Sequence, residues 1–439
     1  MSTDIHVRPT VAAERIQSMD IIRGISLCGI LLMNIVGFGL FKAYDDPTNS
    51  GGATGWNLDV WWINSMFFEG TMRGMFSMLF GAGILIFTGR AVENQQGTLV
   101  TDLFFRRLIW LLVFGIIHSY LLLWDGEILY CYALVGMFAF SFRHLSPKHL
   151  IIGAACMLAF ANLWDLKDYI SEKNKYAAAQ TALQAKANGV TLTQEQAKDT
   201  ATWDEIVTEK KATQEALQEE MKERSKGYWS IVMHKAHLNQ IMQTFVMYRY
   251  FFLDALAMML LGMAFFKLGI IKALRTNRFY LILLAAGYSI GLAVNDYEAH
   301  LIMSNNFSIL AFDQSYITYN LGRVAMTCGH IGLIMLFIKS GWLMFLQRAF
   351  AAVGQMAFTN YITQTLICNF IFLGYGLSMY GKLQRYELYY IVVGIWIFQL
   401  IVSPIWLRYF RFGPLEWVWR SLTYWERQPF RKRVVVEVE

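Results

Sequence analysis

The chain has 439 residues, of which 56% are apolar, 15% aromatic and only 16% charged, with a net charge of +6. A soluble chain carries about a quarter charged residues, whereas here apolar stretches long enough to cross a hydrocarbon core of about 30 Å recur throughout. This excludes an ordinary soluble domain, and the net charge does not indicate nucleic acid, because the basic residues lie in short loops between apolar runs.

The pattern predicts an all-α polytopic membrane bundle of about ten transmembrane helices with an extracytoplasmic helical hairpin. Spans are expected near 21–42, 70–89, 104–124, 127–143, 149–166, 247–270, 279–297, 318–339, 356–379 and 386–408. The chain divides into N-terminal spans with the main polar motifs (1–166), a hairpin insertion (167–246), C-terminal spans (247–410) and a cytoplasmic interfacial tail (411–439).

The first span opens on Met19-Asp20-Ile21-Ile22-Arg23-Gly24 and holds Asn34 near its middle. Polar groups at such depth are costly and mark candidate functional sites. Residues 56–68 are apolar but interrupted by Asn57, Asp59 and Asn64, which predicts a segment that lies in the interface or re-enters. The second span starts with Glu69 and Arg73, four apart and therefore on one helical face. They form either an ion pair that seals the span or a site where Arg73 holds a carbonyl or an anion. Gly81-Ala82-Gly83 in the same span suits close helix packing.

The third span carries His118, with Asp125 and Glu127 about two turns further on. A neutral imidazole accepts a proton near neutral pH, and a carboxylate beside it orients it and stabilises the charged form. A buried structural histidine is an equally good reading of the residue alone. Residues 167–246 are rich in Ala, Gln, Lys and Glu, with a turn at Asn188-Gly189 and close opposite charges such as Glu219 and Lys222. They read as a solvated hairpin that serves as a spacer, a homodimer contact, a lid or a docking arm. Later spans contain Arg249, Asp254, Arg323, His330, Asn360 and Gln364, and charge and depth make Asp254 and Arg323 candidate partners.

Loop charges set the orientation. Arg8, Arg15, Arg23, Arg90, Arg106, Arg107, Arg143, Lys272, Arg348, Arg411 and Arg420 alternate with acidic loops at Asp45, Asp46, Asp125, Glu127, Asp296 and Glu298, which places both termini in the cytoplasm. All five cysteines fall in apolar runs and read as small buried hydrophobes. No metal-ligand spacing or phosphate-binding glycine loop is visible, so no metal is expected.

Five ordered blocks resemble the YeiB-type family of bacterial inner-membrane proteins. They are Asp20, Arg23, Gly24 and Asn34; Glu69-Gly70, Arg73 and Phe76 to Gly81; Arg106-Arg107, Gly115, His118 and Trp124; Gly354, Met356, Thr359-Asn360-Tyr361 and Gln364; and Gly413-Pro414-Leu415-Glu416-Trp417 through Arg420. That family is similar to transmembrane acyltransferases, including heparan-α-glucosaminide N-acetyltransferase and bacterial sugar O-acyltransferases, which pass an acyl group from cytoplasmic acyl-CoA to an acceptor on the far side. The resemblance implies a multi-pass inner-membrane protein in contact with lipid, with acyl-CoA as donor and an extracytoplasmic saccharide or amine as acceptor. Where the acetyltransferase carries its catalytic histidine, this chain has Tyr44-Asp45-Asp46. The expected machinery is therefore His118 as base, Asp125 or Glu127 to orient it, Asn34 and Arg73 beside Glu69 as oxyanion donors, and Arg23, Arg106 and Arg107 as cations for the CoA phosphates. The premise is that His118, Asn34 and Arg73 share one chamber. The rival reading is a transporter or exporter of a small or lipidic solute.

Overall fold

A computed structural model describes residues 16–93 and 97–432. Arg8, Arg15 and the last residues of the tail lie outside the described residues. The bundle starts with α1 (Gln17–Gly39), a short α2 (Trp56–Phe67), α3 (Thr71–Glu93), α4 (Gly97–Tyr120) and α5 (Leu129–Ala139). Next comes α6 (Pro147–Ala187), whose 41 residues give a length of about 61 Å, twice a bilayer core. It runs along the edge of the bundle and continues outward as the first arm of the insertion. The insertion is completed by α7 (Gln194–Lys210), α8 (Gln214–Arg224) and α9 (Tyr228–Ile241). A π-helical run, Met242–Phe251, then joins α9 to α10 (Phe252–Lys267). The second half holds α11 (Asn277–Ser304), α12 (Ile309–Ser340), α13 (Met344–Gln355), α14 (Ala357–Phe372), α15 (Leu388–Tyr409) and the surface helix α16 (Pro414–Tyr424).

Among the described residues, seven helical stretches are individually long and apolar enough to span a membrane. The exposed surface confirms this origin. Ile151, Ile152, Leu281, Ile282, Ile397 and Ile401 face outward, while Asp254, Arg323, His118, Asn360 and Gln364 are buried. A soluble fold sorts these residue types the other way round. The apolar window of α1 is 72% buried and that of α6 only 11%, so α1 runs through the centre of the bundle and α6 along its edge.

Glycine contacts bring the central helices together. A Cβ on Gly81 of α3 would meet the Met259 carbonyl at 2.0 Å, and one on Gly262 of α10 the Met78 carbonyl at 1.9 Å. The two backbones touch, as small residues allow in lipid. Three cysteines are buried, Cys328 is half-buried and Cys156 is exposed on α6; all are free thiols. Residues 56–68 form the separate helix α2, which turns into α3 through Gly70 at φ +65°.

The insertion is more than one hairpin. Asn188-Gly189 does turn the chain, and Thr193 with Gln196 forms a capping box on α7. The chain then breaks again near Lys211 and Gly227, because Thr213 caps a new helix and Gly227 starts another. α7 folds back on α6 through Tyr176 and Trp203, with ring centroids 5.0 Å apart.

Candidate functional site

Two hollows lie toward opposite ends of the bundle. One, of about 290 Å³, is walled by α1, α3, α4, α5 and α14 and bordered by α16. Its lining is mostly apolar, with Leu27, Ile30, Leu79, Phe80, Phe104 and Leu111 among its walls. Arg23, Arg107 and Arg420 line it toward the α16 end, close enough that Arg107 feels the charge of both others. Asp20 pairs with Arg23 at 3.0 Å. The Arg107 guanidinium lies 4.0 Å from the centre of the Trp419 ring, and Trp419 Nε1 donates to the Arg107 carbonyl at 2.9 Å.

Glu416 explains why α16 is seated there. Its carboxylate accepts from the amides of Phe358, at 2.7 Å, and Thr359, at 3.1 Å, and from the Thr359 hydroxyl, at 2.5 Å. These are first-turn donors of α14, left without partners inside the helix. Burial pushes the Glu416 carboxyl up, and the Thr359 and Phe358 bonds oppose that rise. α14 in turn carries Tyr361, which helps line the inner part of the cavity with Leu129 and Tyr132.

The second hollow, of about 80 Å³, opens beside the loop after α1. Its rim holds exposed Tyr44, Asp45 and Tyr316. Its floor holds Trp61, Arg323 and Arg385, all nearly inaccessible, and Glu69 and Glu298 also line it. Tyr319 donates to Glu69 at 3.2 Å. Arg385 reaches the Ala43 carbonyl, and burial pulls its guanidinium below its ordinary value against the charges of Tyr389 and Asp45.

A buried ion cluster sits between the two. Arg323 contacts Asp254 directly, and Arg73 approaches the other Asp254 oxygen at 3.3 Å. The Arg73 carbonyl accepts from Ser77 at 3.0 Å and from Tyr132 at 3.3 Å, and Tyr132 also lines the apolar cavity. Gly70 makes the cluster sterically feasible. Its positive φ favours glycine, and a Cβ there would lie 2.3 Å from Arg323 Cδ.

His118 lies apart from both hollows and is fully buried. Its Nε2 is 2.8 Å from the Thr365 hydroxyl, its Nδ1 3.6 Å from Glu127, and its ring stands edge-on to Tyr361 with centroids 4.9 Å apart. Glu127 also caps α5, accepting from the amides of Leu129 and Tyr130. The loop after His118 is held by the insertion and by α14. Asn239 of α9 donates to the Ser119 carbonyl at 2.8 Å, Tyr228 to Leu121 at 2.7 Å and Lys235 to Leu123 at 2.7 Å, while Asn369 of α14 takes Leu122.

Measured against the sequence expectations, the shared chamber does not form. His118 sits against Thr365, Glu127 and Tyr361, and Arg73 against Asp254; Asn34 is half-buried, lines neither hollow and makes no hydrogen bond among the described residues. Glu127 does reach His118, but Asp125 pairs instead with Lys235 at 2.7 Å and more loosely with Arg224 at 3.9 Å. Glu69 and Arg73 do not share a helical face: Glu69 lies in the turn before α3, where Gly70 at φ +65° breaks the helix, so Glu69 meets Tyr319 while Arg73 meets Asp254 on α10. Of the three arginines expected to gather, Arg23 and Arg107 line the apolar cavity. Arg106 points away, paired with Asp102 at 2.6 Å and 4.1 Å from the centre of the Trp425 ring. One helical step turns Arg106 about 100° from Arg107, toward Asp102 and Trp425 and away from the cavity. Arg420 takes the third place. Its signal was present in the Pro414-to-Arg420 block, where a surface helix brings every third or fourth residue to one face.

Comparison with known proteins adds the relationship. Residues 265–426 match a family described as "Protein of unknown function (DUF418)". The chain is 31% identical to the YxaH protein of Bacillus subtilis (strain 168), over 98% of this chain and 99% of the relative. It is 29% identical to the YeiB protein of Escherichia coli (strain K12), over 93% and 96% of the two chains. A 39.9 kDa protein encoded in the amylase 3′ region of Bacillus acidopullulyticus is 23% identical over 96% of this chain and 97% of its own. No solved structure matches.

Proposed function

The chain belongs to the YeiB-type, DUF418 family of helical membrane proteins, and from that premise we propose that it is a membrane acyltransferase whose donor, an acyl-CoA, enters from the α16 end. The observation that carries the reading is the apolar cavity with Arg23, Arg107 and Arg420 at one end. An acyl thioester has matching parts: an apolar chain for the walls and phosphates for the guanidinium groups. On this reading the protein lies in a bacterial inner membrane with its α16 end toward the cytoplasm, where acyl-CoA is found. The acceptor, a saccharide or amine, is reached from the opposite end. In this reading His118 and Glu127 act behind Tyr361 as positioning residues, since the imidazole touches neither hollow.

Binding of decanoyl-CoA to the full-length protein in lipid nanodiscs tests the proposal. Saturable binding that weakens at least tenfold in Arg107→Ala and Arg420→Ala, while Arg106→Ala changes little, supports it. Equal binding by all three variants overturns it.

One observation favours transport instead. The Arg73, Asp254 and Arg323 cluster lies between the two hollows, as a closed gate would. Solute flux in proteoliposomes, increased when Asp254 is replaced by Asn, separates that reading from acyl transfer.

A further inference from the structure

We propose that the recess formed by Trp61, Glu69, Glu298, Arg323 and Arg385 binds a neutral, polyhydroxylated group presented end first, the edge of a sugar ring or a glycerol unit. The inference rests on the acyl-transfer reading and deepens it: the recess is where the acceptor enters, on the far side of the Arg73–Asp254–Arg323 cluster from the apolar cavity, and it selects hydroxyl over amine.

The floor of the recess is unusual for a packed interior. Arg323 is 1% exposed and Arg385 2%, and each keeps guanidinium N–H groups without a hydrogen-bond partner, Nε and Nη1 on Arg323 and Nε on Arg385. Buried donors of this kind are normally satisfied. An acceptor oxygen brought to that floor is what these donors lack.

Charge decides which oxygen compound fits. Arg385 and Arg323, the latter already paired with Asp254, line the same small space as the carboxyl groups of Asp45, Glu69 and Glu298. An anion is drawn to the arginines but repelled by three carboxylates. A cation meets the reverse. A hydroxyl both donates and accepts, so it bonds to each type and carries no charge to be desolvated. Trp61 adds an apolar wall, which suits the C–H face of a sugar or polyol.

Size sets the mode of entry. A volume of about 80 Å³ is small beside the several hundred that enclose a drug-sized ligand. The recess therefore takes one edge of a sugar or a three-carbon polyol, with the remainder outside the rim. The linker between α7 and α8 is pinned beside that rim. Lys211 bonds to Asp46 and, at 2.6 Å, to the Phe307 carbonyl; Lys210 pairs with Asp313 at 2.9 Å; and Asn49 Nδ2 donates to the Lys210 carbonyl at 3.0 Å.

The test uses full-length protein in lipid nanodiscs free of glycoside detergent. Methyl β-glucoside and glycerol are titrated separately, followed by thermal unfolding and by saturation-transfer NMR. Ethanolamine serves as the cationic probe and lactate as the anionic one. The proposal expects a saturable shift with one or both neutral probes, with the glucoside pointing to a saccharide and glycerol to a lipid-type headgroup. It expects at least a fivefold weakening in Arg385→Lys and in Tyr44→Phe, the second an exposed rim position that folding tolerates. A saturable response to ethanolamine or lactate alone, or no response to any probe, overturns it. Decanoyl-CoA binding measured on the same sample keeps the two readings apart. Retained donor binding without neutral-probe binding removes the recess assignment only.

Discussion

The Asp254 carboxylate of α10 makes direct contact with the Arg323 guanidinium of α12, and both side chains are buried in the bundle. Asp254 also faces Arg73 on α3, so one anion holds two cations from two different helices. Removing it leaves both guanidinium groups uncompensated in a low-dielectric interior, a loss of about 3–5 kcal/mol. Asp254→Ala is therefore expected to lower the thermal unfolding temperature in nanodiscs far more than Arg106→Ala, whose Asp102 partner is exposed. Equal effects of the two variants sink the assignment of the cluster as a keystone of the bundle.

The insertion holds the loop that follows His118. Lys235 of α9 is 3% exposed and joins the Leu123 carbonyl to Asp125. Lys235→Met keeps the packing of the chain but leaves a buried carbonyl without its donor, costing about 1–3 kcal/mol, and leaves Asp125 only the looser Arg224 contact. Amide hydrogen exchange over 119–127 is expected to rise in Lys235→Met while the α1 and α10 amides stay protected. Unchanged exchange there means that the insertion is a passive spacer.

Most of the fold was legible before any coordinate. Apolar length locates most spans, because a segment in lipid must satisfy its own backbone and so advertises itself by composition. Of the ten expected, seven helical stretches among the described residues are long and apolar enough, while the expected spans at 127–143 and 356–379 hold helices of 11 and 16 residues. Side-chain meeting points were less legible. Charge and depth brought Asp254 to Arg323, since two buried opposite charges have few alternatives. They did not separate Arg106 from Arg107, which depends on helix rotation, nor did they reveal that Tyr361 stands between His118 and the cavity. Glu69 and Arg73 part because the helix starts only at Thr71, after the turn at Gly70, a break that an i, i+4 spacing does not reveal. The recess floor at Arg385 lies in a loop whose path is set by tertiary contact alone.

The insertion also has a pH response. Burial opposes ionisation of Glu220, but the Arg224 charge and hydrogen bond, with those of His234, outweigh it and hold the carboxyl below its ordinary 4.5. Arg224 Nε lies 2.5 Å from Glu220 and His234 Nε2 2.9 Å. A carboxyl with a depressed folded value binds more protons unfolded than folded. Its contribution is complete above about 4.5 and disappears as pH falls through the depressed value. Limited proteolysis within α8 and α9 is expected to accelerate below that pH in the wild type. Glu220→Gln removes this carboxyl's titration, so its proteolysis rate should depend less on pH across the same interval.

Glu416 ties the surface helix to the interior. Its carboxylate replaces the missing partners at the start of α14, so the substitutions Glu416→Gln and Glu416→Ala separate two effects. Glutamine keeps one carbonyl oxygen for the Phe358 and Thr359 amides but turns a donor toward the Thr359 hydroxyl, which can then serve as its acceptor. Alanine leaves the first-turn donors bare, a cap loss of about 0.5–2 kcal/mol. Because Glu416, Trp419 and Arg420 share α16, an unseated helix also withdraws a guanidinium from the apolar cavity. Glu416→Ala should therefore weaken decanoyl-CoA binding even though Glu416 bears the wrong charge to bind a phosphate itself, and Glu416→Gln should restore most of it. A carboxylate that merely repels the anionic donor gives the opposite result, tighter binding in both variants, so the sign of the change distinguishes a cap from an electrostatic neighbour.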